Sequence, residues 1–182
     1  YQTAIAEAAL RSCGYRVEGL KVASHDDIER GLAVVNNDAC FPAIVVIGQL
    51  VSALKSGRYD LDRVSLFLTQ TGGMCRATNY IALLRKALKD AGFAQIPVIA
   101  ASLQGLEDNP GFKLTGPLVH RMAQAVTLGD LIQRVHLRTR PYEAVPGSAD
   151  ELMQRWQTIC REHFEDGGTS PTWGRRTSYS AL

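Results

Sequence analysis

Apolar positions along the chain change from helical to strand spacing several times, and these changes mark out the elements. Between Gln2 and Ser12, the residues Ile5, Ala8, Ala9 and Ser12 share one stripe and predict a helix that ends at Gly14. Tyr15–Val22 reads as a first strand. Ser24, three residues before Asp27, offers an N-cap and an acidic first turn for a helix to about Val35, where Asn36, Asn37 and Asp38 break the pattern. Cys40-Phe41-Pro42 then leads into AIVVIGQLVSALKSG. Its stripe is Ile44, Ile47, Leu50, Val51 and Leu54, and Gly57 closes it. Pro42 suits a first helical turn because its missing N–H has no intrahelical acceptor to lose. AIVVI alone has strand length, but the run through Ser56 favours a helix.

The chain is organised around Val64–Leu88, VSLFLTQTGGMCRATNYIALLRKAL. Val64, Leu66, Phe67 and Leu68 form a short β-favouring run. A Gly-Gly turn follows, and then Tyr80, Leu83, Leu84, Ala87, Leu88 and Ala91 recur at helical spacing, with Gly92 at a left-handed C-cap position. Gln95–Ser102 predicts a third strand with Pro97 near its start. Leu103–Thr115 reads as loop, with Asn109-Pro110-Gly111-Phe112 as its turn or as a lid. Pro117 opens a long helix to about Arg138 carrying Leu118, Met122, Ala125, Gly129 and Ile132. Small Ala125 and Gly129 on that seam predict close helix–helix packing. A last helix from about Ala149 to Phe164 places Leu152, Trp156, Ile159 and Cys160 inward, and the tail GGTSPTWGRRTSYSAL has no periodicity. Strands alternating with helices imply an α/β fold, a parallel sheet with helices on both faces and helical additions at the C-terminal end.

The 182 residues suffice for one good-sized domain that buries roughly 70% of its unfolded surface. A 46% hydrophobic and 21% charged composition is that of an ordinary soluble protein, and no apolar run reaches membrane-spanning length. A net charge of +2 is too small to argue for nucleic acid or an acidic membrane surface. Four irregularly spaced cysteines do not suggest a secreted disulfide framework, so a cytoplasmic location is expected. The chain starts without Met and is expected to be a segment of a longer protein.

Candidate chemistry centres on cysteine. In a strand–turn–helix unit the turn lies at the carboxyl edge of the sheet, where α/β proteins bind ligands and helix-opening amides favour an anion. Gly72 and Gly73 permit close backbone approach there, and Cys75 places a thiol where a thiolate is stabilised. Cys40 stands just ahead of another predicted helix. Two such thiolates could converge on a soft cation or an iron–sulfur cluster, and each reads equally as a small buried hydrophobe. Cys13 and Cys160 read as core. No C-x-x-C pair supports a zinc knuckle or a dithiol. TQTGGMCRATN lacks the Gly-Lys-Ser/Thr of a phosphate loop and the spaced glycines of a dinucleotide fingerprint. Arg76 could hold a phosphate or carboxylate, or pair with a surface acid. His25, His120, His136 and His163 fall on polar stretches and read as solvated surface residues.

Four segments carry a resemblance further: NNDACFPAIVVIGQL (Asn36–Leu50), TQTGGMCRATNYIALLRKAL (Thr69–Leu88), GLEDNPGFKLT (Gly105–Thr115) and GDLIQRVHLRTRPYE (Gly129–Glu143). Together they resemble the large acyl-CoA dehydratase activase-related proteins, in the portion similar to the D-component of 2-hydroxyglutaryl-CoA dehydratase. The resemblance runs from Tyr1 to about Phe164. It implies a three-layer Rossmann-like domain over 1–145; the residue pattern adds a packing helix over 146–166 and, outside the resemblance, a linker or disordered tail over 167–182. It also implies a 4Fe-4S-type cluster with Cys40 and Cys75 among its thiolate ligands and the remaining ligand outside this segment. Gly72, Gly73, Arg76 and Asn79 would form the cluster or substrate environment. ATP would belong to an activase domain or partner subunit that injects a low-potential electron for radical dehydration or reduction of an acyl-CoA substrate. A homodimer stays open. Two competing readings also stay open: a metal-free phosphate- or acyl-binding domain centred on Cys75, and a non-catalytic docking domain.

Overall fold

The computed structural model describes residues 2–20, 22–70, 73–102 and 111–166. The chain divides into two compact units, Leu20–Lys113 and the pair of segments Tyr1–Gly19 and Leu114–Leu182. The fold is mixed α/β, with a two-stranded parallel sheet among the described residues. No helix among them is long and apolar enough to cross a membrane.

The Leu20–Lys113 unit holds the sheet. Its elements are α2 (His25–Val34), α3 (Phe41–Lys55), β1 (Leu66–Gln70), a short 3-10 turn (Arg76–Asn79), α4 (Tyr80–Asp90) and β2 (Val98–Ser102). The predicted cap of α2 forms in full. The Asp27 amide donates to Ser24 Oγ, and the Ser24 amide donates to the Asp27 carboxylate at 2.8 Å, a reciprocal pair that satisfies two otherwise orphaned donors. Pro42 occupies the first turn of α3, and the five predicted stripe residues all lie in the core. α2 and α3 cross at backbone contact through two glycines. A Cβ on Gly48 would lie 1.9 Å from the Asp27 carbonyl oxygen, and one on Gly31 would lie 2.1 Å from that of Ile44.

β1 pairs with β2 in parallel register from Leu66 opposite Val98 to Gln70 opposite Ser102. α4 makes the crossover between them, and its buried face is Ile81, Leu84, Ala87 and Leu88. Gly92 takes φ +85° beyond its end. The Gly92 and Phe93 amides return to the carbonyls of Lys89 and Leu88, the two bonds of a Schellman motif. These helices and both strands share one apolar cluster around Ile47, Val51, Leu84 and Leu88.

The other unit is built from α1 (Gln2–Ser12), α5 (Gly116–Thr139) and α6 (Ser148–Glu165), around Ile5, Ala8, Ala9, Ala125, Cys160 and Phe164. The seam prediction for α5 is met where Gly129 faces α1, since a Cβ there would fall 2.8 Å from Gln2 Cγ. The predicted first strand does not form over residues 15–20. That segment is held against α1 instead: Arg11 Nε donates to the Val17 carbonyl at 2.9 Å and the Gly19 amide donates to the Glu7 carboxylate at 3.1 Å. The inward face of α6 also differs from expectation. Ala149, Met153, Cys160 and Phe164 are buried, while Leu152 is 48% exposed. Leu152 and Met153 are neighbours about 100° apart on a broad apolar arc, so spacing alone leaves the choice to the packing partner.

His136 and Glu143 were both underrated by the sequence reading. His136 is 5% exposed and its Nε2 lies 2.6 Å from Asp150 Oδ1, joining the end of α5 to the first turn of α6. A short connection between antiparallel helices explains why a histidine on a polar stretch ends up buried. Gly147 at the N-cap of α6 has no side chain to cap it. The Glu143 carboxylate accepts from the Gly147 and Ala149 amides at 2.8 and 3.0 Å, and those two bonds hold its carboxyl below the usual range.

Candidate functional site

The two cysteines singled out above occupy matching positions in the local backbone. Cys40 is the N-cap of α3 in extended conformation, with no side-chain cap bond. Cys75 is the N-cap of the 3-10 turn that runs into α4, and its sulfur accepts from the Ala77 amide at 3.5 Å. Cys75 follows the carboxyl end of β1 and is exposed, whereas Cys40 is half-buried. The turn is tied down from both sides. Gln70 Nε2 donates to the Thr78 carbonyl at 2.7 Å, and Thr78 Oγ1 donates to the Gly73 carbonyl at 2.8 Å.

Tyr80 reaches Cys40, a contact the sequence pattern does not reveal. It was assigned to the apolar stripe of α4, yet its hydroxyl lies 2.9 Å from Cys40 Sγ, forty positions away in the chain. The Tyr80 hydrogen bond holds the Cys40 thiol below its ordinary range. The Ala43 amide in the first turn of α3 and the Arg76 guanidinium add to this against the opposing cost of burial. Tyr80 moves the other way, pushed up to about 12 by the Cys40 bond, by desolvation and by the negative charge that Cys40 and Cys75 would carry. Either atom can donate in this contact, and when Cys40 is ionised the Tyr80 hydroxyl is the donor. Cys40 and Tyr80 are thus the pair in direct contact here, with Arg76 adding to the lowering of Cys40 through its charge.

Other candidate residues behave less simply. Nothing lies within 4 Å of a Cβ placed on Gly73, so no part of the chain crowds that backbone. Gly72 lies outside the described residues, as do Asn109, Pro110 and the tail from 167. Asn79 precedes α4 without a side-chain cap bond. Phe112 stacks edge-on against Phe67 with ring centroids 5.6 Å apart. Cys160 is buried, which pushes its thiol up, and Cys13 is half-buried. Cavities of about 520 and 330 Å³ open between α5 and α6, and neither is lined by Cys40, Cys75, Arg76 or Tyr80.

The donor chemistry suits a soft metal centre in part. The Cys40 thiol, held below its ordinary range, and the exposed Cys75 thiol are the sulfur groups of this region. Among the described residues no group of three or more His, Cys, Asp or Glu side chains gathers to complete a set. Cys40 and Cys75 by themselves do not make a complete ligand set. Compared with protein-family models, with curated proteins and with solved structures, the chain matches none.

Proposed function

We propose that this chain is an iron–sulfur-binding domain of a 2-hydroxyacyl-CoA dehydratase/activase-type system, and that its sheet unit belongs to a three-layer Rossmann-like domain. The reading is supported above all by one observation: Cys40, at the N-terminus of α3, lies 2.9 Å from the hydroxyl of Tyr80, which opens α4 five positions after Cys75. When bound, a cluster would accept a low-potential electron and pass it to a radical dehydration or reduction site. The chain's own residues prepare for it. The α3 amides and Arg76 favour negative charge at Cys40, and Tyr80 orients the Cys40 sulfur. Phe41 and Met74, adjacent to the two cysteines, are 60% and 107% exposed and offer apolar surface to an ATP-dependent activase domain or subunit. Arg76 is placed to meet the acidic groups of an acyl-CoA.

Anaerobic reconstitution with iron and sulfide tests this directly. A visible charge-transfer band and bound iron are expected in the unaltered chain and should be lost in Cys40→Ala and in Cys75→Ala. Equal iron in all three proteins would refute the assignment. The absence of a third donor among the described residues favours one competitor, a metal-free acyl- or phosphate-binding site centred on Cys75. In that case Cys75→Ser abolishes ligand binding and Cys40→Ser does not.

A further inference from the structure

We propose that the trough between α5 and α6 binds a single-chain carboxylate of the fatty-acid class, its chain among apolar side chains and its head against His120 and His163. The cavities of about 520 and 330 Å³ share Leu128, so they join end to end within the three-helix unit. On α5 the lining runs from His120 to Thr139, about 28 Å at the helical rise per residue. This inference stands apart from the iron–sulfur reading, whose residues line neither cavity.

The two halves of the trough differ in chemistry, and the difference runs lengthwise. The smaller half is walled by Leu131, Val135 and Leu152, which are 56%, 51% and 48% exposed, above buried Met153 and Cys160. Leaving that much aliphatic surface in water is unfavourable, and an apolar chain laid along it removes the exposure. Its volume lies near the lower end of small-molecule clefts, about 300–1,000 Å³, which suits one chain better than fused rings. The polar groups at that end are already engaged: His136 with Asp150 at 2.6 Å, and Thr139 Oγ1 donating to the Val135 carbonyl at 2.9 Å. The larger half supplies N–H groups from His120 and Gln124 on α5 and from His163 on α6, above buried Phe164. Among the described residues no carboxylate lines either cavity, so an anionic head meets donors and no like charge. An amphipathic helix would need an apolar floor along its whole length, with polar groups confined to the rims. A polar end and an apolar end match a head and a tail instead.

The test is a titration of dodecanoate, kept below its aggregation threshold, into the full chain carrying Trp173→Phe, which leaves Trp156 in the trough as the reporter. A saturable blue shift of the Trp156 emission at one equivalent is expected. Octanoate, decanoate and dodecanoate should bind with rising affinity, by roughly two- to fourfold per methylene. Val135→Asp should weaken dodecanoate by about tenfold or more, with its melting curve reporting the fold. Leu152→Asp, on the opposite wall, decides the matter if Val135→Asp fails to fold. His120→Ala combined with His163→Ala should weaken dodecanoate by about fivefold and leave dodecanol unchanged. No saturable change, or undiminished binding in both wall variants, would overturn the proposal. So would a dimer in sedimentation that Val135→Asp dissociates, because a second copy would then fill the trough. Undiminished dodecanoate binding in the histidine variant would overturn the placing of the head.

Discussion

Each unit pairs two polar side chains across a pair of helices, and the two pairs differ in their surroundings. In the three-helix unit, the His136 side chain is 3% exposed and locks onto Asp150, so the pair serves to fasten α5 to α6. In the sheet unit, the Cys40–Tyr80 pair sits where the N-terminus of α3 meets the start of α4, with exposed Cys75 and Arg76 beside it. The buried His136 imidazole fastens two helices of its unit, whereas Cys40 is half-buried and Cys75, five positions before Tyr80, is exposed. The same kind of contact thus stands in a more enclosed setting in one unit than in the other.

The comparison breaks most severely if the scaffold of the sheet unit fails. Gly48→Ala drives a methyl group into the Asp27 carbonyl and should cost about 3 kcal/mol or more in urea denaturation. Gly129→Ala in the other unit meets only the flexible Gln2 side chain and should cost about 1 kcal/mol. Equal losses would mean that the α2–α3 crossing relaxes as readily as the α1–α5 one. Removing the fastening pair comes next. His136→Ala should destabilise by about 1–2 kcal/mol, toward the low end because Asp150 is 40% exposed and water can replace its partner. The alkylation rate of Cys40 should not change in this variant; if it did, the two pairs would not be separate devices.

Tyr80→Phe should lower stability modestly near neutral pH, where the contribution of the raised Tyr80 hydroxyl is fully present, and it should also act on reactivity. Loss of the donor raises the Cys40 thiol, so the pH at which its alkylation reaches half-maximal rate moves to higher values, as read by mass spectrometry. Cys75 serves as the internal control. The signs for stability also differ within the pair. The lowered Cys40 thiol stabilises the fold above its unfolded value of 9.0, and this is lost as pH falls through the folded value. The raised Tyr80 hydroxyl contributes below 10.0, and that contribution is lost as pH climbs toward about 12. The smallest effect is expected of Glu143→Gln. The lowered Glu143 carboxyl stabilises above its ordinary 4.5 and loses that contribution as pH falls through the folded value. The melting temperature of the variant should therefore lie below that of the parent at pH 7, and the gap should shrink on acidification.

Local rules were enough for most elements. The capping box at Ser24, Pro42 opening α3, Gly92 closing α4 and Thr115-Gly116-Pro117 opening α5 are decided within a few residues, so they are legible along the chain. Of the site, Cys40, Cys75 and Arg76 stood out because each sits beside a helix start. Tyr80 did not, because a tyrosine on an apolar stripe looks like core until its partner forty positions away is placed next to it. His136 was obscured in the same way, and the alternating residues from Tyr15 read as a strand although their backbone groups turn to α1.

The amino-acid order by itself determined where helices begin and end and which positions are apolar, since capping, proline and glycine geometry and periodicity act between near neighbours. Only the tertiary structure decided which of two adjacent stripes on α6 is buried, that α2 and α3 touch at their glycines, and that Cys40 meets Tyr80. Those outcomes depend on contacts between residues remote in sequence, whose pairing is settled by how whole helix faces fill a shared core.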